Sequence, residues 1–243
     1  MSPLPVLIVE HEAICPPGWM GEWLTDAGCA LDVRRPYAGD VLPNDLRAHR
    51  SLMVLGGSMD AGADAEFPWL TGVKRLVREG ADTGVPVLGI CLGHQIAAVA
   101  LGGVVARNPR GQQLGVLEVG WSDEARRDAL FGPLGASRVA IQWNDDIVLT
   151  PPPGAEVLAT APTGEIQAAR FAPTVWGVQW HPEVGAEIVS VWADSDRDSI
   201  HERGLDVDVY LAAMAEAREE LRAAWRPLAE SFAALSREVA AAW

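Results

Sequence analysis

The chain has 243 residues, 49% of them hydrophobic, which is ample for one large core and fits a single α/β unit at the upper end of domain size. Its formal net charge of −14 argues against nucleic acid or an anionic membrane surface as a direct partner. Three cysteines, Cys15, Cys29 and Cys91, form neither a disulfide framework nor a metal-binding spacing, which suits a reducing cytoplasm.

Val6–Val9 predicts a first strand, and no positively charged segment precedes it, so no secretory signal is expected. His11, between Glu10 and Glu12, follows at the sheet edge where α/β ligands bind. It reads as a solvated loop residue, because nothing else supplies a metal site. Trp19–Ala27 predicts a helix closed by Gly28, and Ala30–Val33 and Leu52–Leu55 predict strands. Trp69, Leu70, Val73, Leu76 and Val77 keep the i, i+3, i+4 spacing of a helix, with Gly80 as its stop. Val85-Pro86-Val87-Leu88 is short and β-prone, and Ile96–Leu101 reads as a buried helix ending at Gly102-Gly103. This alternation implies a mostly parallel sheet covered by helices on both faces.

Residues 83–106 carry no Asp, Glu, Lys or Arg, a run long enough to suggest a membrane span. Five glycines, Pro86 and a central His94-Gln95 pair point instead to strand, turn and buried helix, and no membrane association is expected. From 113 to 180 the texture becomes β-rich: Gly115–Val119, Val139–Gln142, Ile147–Leu149, Glu156–Ala159, Ile166–Ala169 and Val175–Trp180 read as added, partly antiparallel strands on the same sheet. Pro151-Pro152-Pro153-Gly154 is a surface turn, because strands resume at once. Beyond residue 195, Leu211, Met214, Leu221 and Trp225 predict an amphipathic helix. Pro227 breaks it, and Leu228, Phe232, Leu235, Val239 and Ala242 predict a second. Two helices packed on the domain's own surface is the favoured reading. A docking or homodimerisation element, suggested by Trp225 and Trp243, is the alternative.

The chemistry gathers at Gly89-Ile90-Cys91-Leu92-Gly93, a cysteine form of the nucleophile elbow. A nucleophile on a tight strand-to-helix turn projects away from the backbone, and glycines on either side relieve crowding. The adjoining helix N-terminus favours a thiolate. A lone buried cysteine is ordinarily a packing residue. The two flanking glycines favour the nucleophile, provided a base exists elsewhere. Trp180-His181-Pro182-Glu183 supplies one, with His181 just past an apolar run and Glu183 able to fix its tautomer. His-x-Glu alone is a weak signal.

Gly89-Ile90-Cys91-Leu92-Gly93-His94-Gln95, Gln179-Trp180-His181-Pro182-Glu183 and Leu55-Gly56-Gly57-Ser58-Met59 together resemble the signatures of the class I (triad-type) glutamine amidotransferases, most nearly the stand-alone GMP-synthase-like members. The resemblance covers about residues 4–195, leaving 196–243 as a helical extension, and implies a flavodoxin-like fold. It implies Cys91, His181 and Glu183 as a catalytic triad with no metal or organic cofactor. It also implies an oxyanion hole from the Gly57 and Leu92 N–H groups, and contacts to the substrate from Gln95, Asn144 and Asp145. Gln95 read by itself is a helix-surface amide. Asn144 stands where relatives usually carry His, which bears on substrate preference. The expected substrate is L-glutamine, with ammonia passed to a separate synthase. A γ-glutamyl amide or peptide hydrolase with the same triad is the alternative, and a non-catalytic binding protein a weaker one. No Ser-Gly-Gly-x-Asp-Ser or Gly-x-x-x-x-Gly-Lys-Ser/Thr loop is present to activate a nucleotide.

Overall fold

All four residues of β1 (Val6–Val9) are apolar and inaccessible, as expected of a strand covered on both faces. The computed structural model describes residues 4–134 and 138–240, with side chains as far as Arg237, so Ala242, Trp243 and the side chain of Val239 lie outside the described residues. After β1 the chain forms α1 (Gly18–Asp26), β2 (Leu31–Arg34), β3 (Ser51–Val54), α2 (Trp69–Thr83), β4 (Val87–Ile90) and α3 (Leu92–Ala100). Seven strands follow: β5 (Val104–Arg107), β6 (Gln113–Trp121), β7 (Arg138–Asn144), β8 (Asp146–Thr150), β9 (Glu156–Thr160), β10 (Ile166–Ala172) and β11 (Val175–Val178). The chain then runs through α4 (Ala186–Glu202), α5 (Val207–Glu216) and α6 (Arg218–Ala240).

Among the described residues the main sheet has nine strands in the order β2-β1-β3-β4-β11-β10-β9-β6-β7. The first five are mutually parallel, and the pairings from β11 through β10, β9 and β6 to β7 are antiparallel. Alternate residues feed opposite faces: Val6 and Ile8 join the core beneath α1 and α6, Leu7 and Val9 the core beneath α2 and α3. The mixed sheet with helices on both faces is the architecture read from the sequence.

Four local readings need correction. Gly80 does not stop α2, which runs on to Gly84 at φ 77. Gly80 is there for clearance, since a Cβ would stand 2.4 Å from Val87 Cγ2 on β4. Ile147–Leu149 is not on the main sheet: β8 pairs with β5, an unanticipated strand, in a separate antiparallel ribbon. Helix α4 was not anticipated either, and the division expected at residue 195 falls inside it. Finally, Pro227 lies within α6, and the chain breaks at Ala217 instead. Proline forfeits one backbone hydrogen bond, but Trp225, Leu228, Ala229 and Phe232 keep a continuous buried face across it.

That face is spent on the protein's own core. Trp225 is 0% exposed, lies 4.8 Å from the Trp180 ring and donates its indole N–H to Val139 O at 3.1 Å. Ser236 donates to Ser51 on β3 at 2.8 Å, and Arg222 and Arg226 pair with Glu22 and Asp26 of α1. Trp225→Ala is expected to destabilise the fold by about 3–5 kcal/mol, the usual range for emptying a buried tryptophan site. A denaturant midpoint that drops with an unchanged slope would show it. Among the described residues no helix is long and apolar enough to cross a membrane.

Candidate active site

Cys91 joins β4 to α3 at φ 50 and ψ −105, the one non-glycine residue with positive φ among those described. Such a conformation costs on the order of 1–3 kcal/mol and persists only where the surroundings enforce it. Here Cys91 N–H donates to Val178 O at 2.8 Å, and Gln95 N–H donates to Cys91 O at 3.1 Å. The flanking glycines are required by contact. A Cβ on Gly89 would lie 2.3 Å from Gly93 O, and one on Gly93 would lie 2.0 Å from Val54 O.

His181 lies three residues beyond β11, the parallel neighbour of β4, so both side chains emerge at the carboxyl ends of adjacent strands. Its backbone N–H donates to Ile141 O at 2.8 Å. The ring is held from two sides, by Trp192 of α4 with centroids 4.7 Å apart and by Glu183, whose Oε1 accepts from Nδ1 at 2.8 Å. That bond puts the proton on Nδ1 and turns Nε2 outward. Nε2 is buried without a hydrogen-bond partner among the described residues. Burial alone would lower the His181 pKa, but the Glu183 carboxylate and the Cys91 sulfur outweigh it and push it up to about 10.

Glu183 is 1% exposed and lies behind His181. Its carbonyl accepts from Trp19 N–H at 2.8 Å, at the start of α1. Gly18, at φ 47, is the point of closest approach, where a Cβ would lie 2.1 Å from that carbonyl. Gly18→Ala should therefore displace the Glu183 turn and lower turnover by about tenfold or more, since small misplacements of catalytic groups are costly. A steady-state assay on protein with an unchanged far-ultraviolet spectrum checks this.

Cys91, His181, Gly57, Gln95, Asn144 and Asp145 line one cavity of about 460 Å³. Leu92 sits beside Gly57, its Cδ2 3.0 Å from where a Gly57 Cβ would stand, so the loop after β3 and the first turn of α3 close on one another. Gln95 is buried, correcting its reading as a surface amide, and donates to Asp146 O at 3.0 Å. Asn144 donates to Asp146 O at 3.1 Å and to Gln113 at 3.3 Å, while its own Oδ1 has no partner among the described residues. Asp145 pairs with Arg107 at 3.2 Å. Burial, then Asp60 and Asp145, raise the Asp146 pKa against the pull of Arg107.

His11 also needs correction. It is 1% exposed, accepts from the Trp69 indole at 3.1 Å, and burial lowers its pKa to about 4. The loop that carries it turns inward, placing Glu12 and Cys15 on the cavity wall. Sequence reasoning also missed Gln179, whose amide approaches Cys91 Sγ at 3.6 Å, although period-2 spacing from His181 was a signal. Nothing in the sequence pointed to Trp192, which acts from a helix that had not been anticipated.

Residues 23–188 match the family described as glutamine amidotransferase class-I. The chain belongs to that family. Among relatives of this class I amidotransferase is a glutamine-hydrolyzing GMP synthase from Aeropyrum pernix, 40% identical over 45% of the chain and 22% of that protein. The chain thus spans about a fifth of that relative's length. Gamma-glutamyl peptidase 4 of Arabidopsis thaliana is 28% identical over 77% of the chain and 74% of the peptidase. The crystal structure of a glutamine amidotransferase from Thermotoga maritima superimposes with a TM-score of 0.82 at 25% identity, covering 95% of this chain and 98% of that one.

Proposed function

We propose that this class I amidotransferase hydrolyses the side-chain amide of L-glutamine through a Cys91 thioester, releasing glutamate and passing ammonia to a separate synthase. The observation that carries the reading is the joint placement of Cys91 and the Glu183-oriented His181 on one cavity. The Cys91 thiolate attacks the amide carbon, and the oxyanion lies against the N–H groups of Gly57 and Leu92. His181, protonated because its pKa is raised to about 10, gives a proton to the departing ammonia. Neutral His181 then takes a proton from water, which attacks the thioester and frees glutamate. The Gln179 amide N–H points at Sγ from 3.6 Å and helps to position it. Gln95, Asn144 and Asp145 hold the amino-acid end. No metal or organic cofactor enters these steps.

Hydrolysis of a γ-glutamyl amide or peptide by the same residues is the second reading, favoured by a cavity of about 460 Å³ and by the likeness to gamma-glutamyl peptidase 4. Steady-state hydrolysis of glutamine, alone and with a candidate synthase, separates the two. Slow glutamine turnover that a partner accelerates supports the first. Rapid cleavage of γ-glutamyl amides with negligible glutaminase activity supports the second.

A further inference from the structure

We propose that Trp192, on α4, is a positioning residue for the proton transfers at the site: its indole face stabilises the His181 imidazolium, and its N–H fixes where that face lies. The proposal deepens the reading above, for either amide, and rests on His181 as the group that protonates the leaving nitrogen. His181 is confined from several directions. Its backbone N–H donates to Ile141 O on β7, and Nδ1 donates to Glu183. The loop after β3 admits the ring only at a glycine, since a Cβ on Gly56 would stand 3.2 Å from His181 Cε1. Trp192 covers the ring with centroids 4.7 Å apart and planes inclined by 53°. The indole is tied down in turn: its Nε1–H donates to Ile14 O at 2.7 Å, in the loop after β1, and the residue is 8% exposed.

Apolar bulk alone would fill this place. Tryptophan adds an electron-rich face, inside the reach of about 6 Å over which such a face attracts a cation, and a donor for the Ile14 carbonyl. The imidazolium needs that face because part of its other support is temporary. Burial opposes the charge most strongly, and Glu183 and the Cys91 sulfur act against burial. As Cys91 attacks, a C–S bond forms and the negative charge passes to the carbonyl oxygen. The C–N bond then breaks, and the leaving nitrogen takes the His181 proton. The sulfur is now part of a neutral thioester and supports the imidazolium no longer. His181 must nevertheless regain a proton from the attacking water. Glu183 and the fixed electrons of the indole favour that proton, and neither depends on the state of Cys91.

Of the charged or titratable groups that face His181, Glu183 comes from its own turn and Cys91 from the turn between β4 and α3. The loop after β1 brings Glu12 and Cys15 to the same cavity. The turn after β7 brings Asp145 and Asp146, with Arg107 paired to Asp145, and α4 itself brings Asp196, at i+4 from Trp192. Gly56 and Ile141, the contacts from the two remaining elements, carry no charge. A change confined to the electrons of the Trp192 ring leaves all of these in place. Removing the ring also changes how well the histidine is shielded from water, so the two kinds of variant are needed together.

The test titrates His181 by NMR in the full chain carrying isotope-labelled histidine, its resonance identified by its loss in His181→Ala. Position 192 carries tryptophan, tryptophans of increasing fluorination, or leucine. Fluorination keeps the shape of the side chain and draws electrons from its face, so the series carries the test even where Trp192→Leu does not fold. The alkaline midpoint of His181 should fall stepwise with fluorination, by about 0.5–1 pH unit in all, and at least as far in Trp192→Leu. In the same proteins kcat should fall about threefold or more, with KM little changed. The titration needs no substrate, so it stands whichever amide is cleaved. A midpoint that ignores fluorination would overturn the role of Trp192 and leave the Cys91 chemistry standing. Turnover that survives in Cys91→Ala would instead overturn the reading on which the proposal rests.

Discussion

Cys91→Ala is expected to abolish turnover, by about 10⁴-fold or more, while the protein folds as before, because it removes the proposed nucleophile from the turn between β4 and α3. The sharper form of the result is chemical. A glutamine-mimicking electrophile should modify Cys91 and spare Cys15 and Cys29. Cys15 makes this a demanding test, since it lines the same cavity. What separates the two thiols is environment. Burial, with Glu12 and Glu183 next, pushes the Cys15 pKa up, so Cys15 stays a poor nucleophile near neutral pH. Cys91 sits at the first turn of α3, with the Gln179 amide beside its sulfur. Modification of Cys15 in preference to Cys91 would refute the assignment.

His181→Ala should cost about 10³-fold or more in kcat, and Glu183→Gln less, about 10²-fold, since an amide oxygen can still accept from Nδ1–H. The two effects should not add, because the residues act as one unit. A pH signature accompanies them. The His181 pKa lies above its ordinary value of 6.5, at about 10 in the folded protein. The imidazolium therefore stabilises the fold fully below about pH 6.5, and this contribution is lost as pH rises through about 10. His181→Ala should flatten the decline in unfolding free energy between those limits, measured by denaturant titration at several pH values. An identical alkaline decline in wild type and variant would show that the ion pair does not form.

Much of this was legible in the sequence because the signals are local. A Gly-x-Cys-x-Gly run between a β-prone segment and a helix fixes the Cys91 turn by sterics, since a Cβ at Gly89 or Gly93 would collide with backbone atoms. His181 could be placed at a strand end because Pro182 follows it. What escaped notice depends on distant partners. Gly80 looked like a stop because the same residue type serves to end a helix and to admit a strand, and only Val87 decides between them. Pro227 looked like a break because the face buried across it, Trp225 to Phe232, is held by distant partners such as Trp180 and Val139. The β5–β8 ribbon was hidden because a strand's partner is not written in its own periodicity.

The return of α6 to the first third of the chain has a consequence for how the protein comes to be folded. Its hydrogen bonds to Val139, Ser51 and Ala27 span 86, 185 and 210 residues. Contacts of that reach form late, since chain-closure entropy must be overcome before they are gained. On a ribosome, β1 and β3 would leave the tunnel long before Trp225 and Phe232, and one apolar side of the nascent sheet would wait only partly covered, by α1. That interval is the protein's window for aggregation, and for chaperone capture, and it closes only when α6 docks.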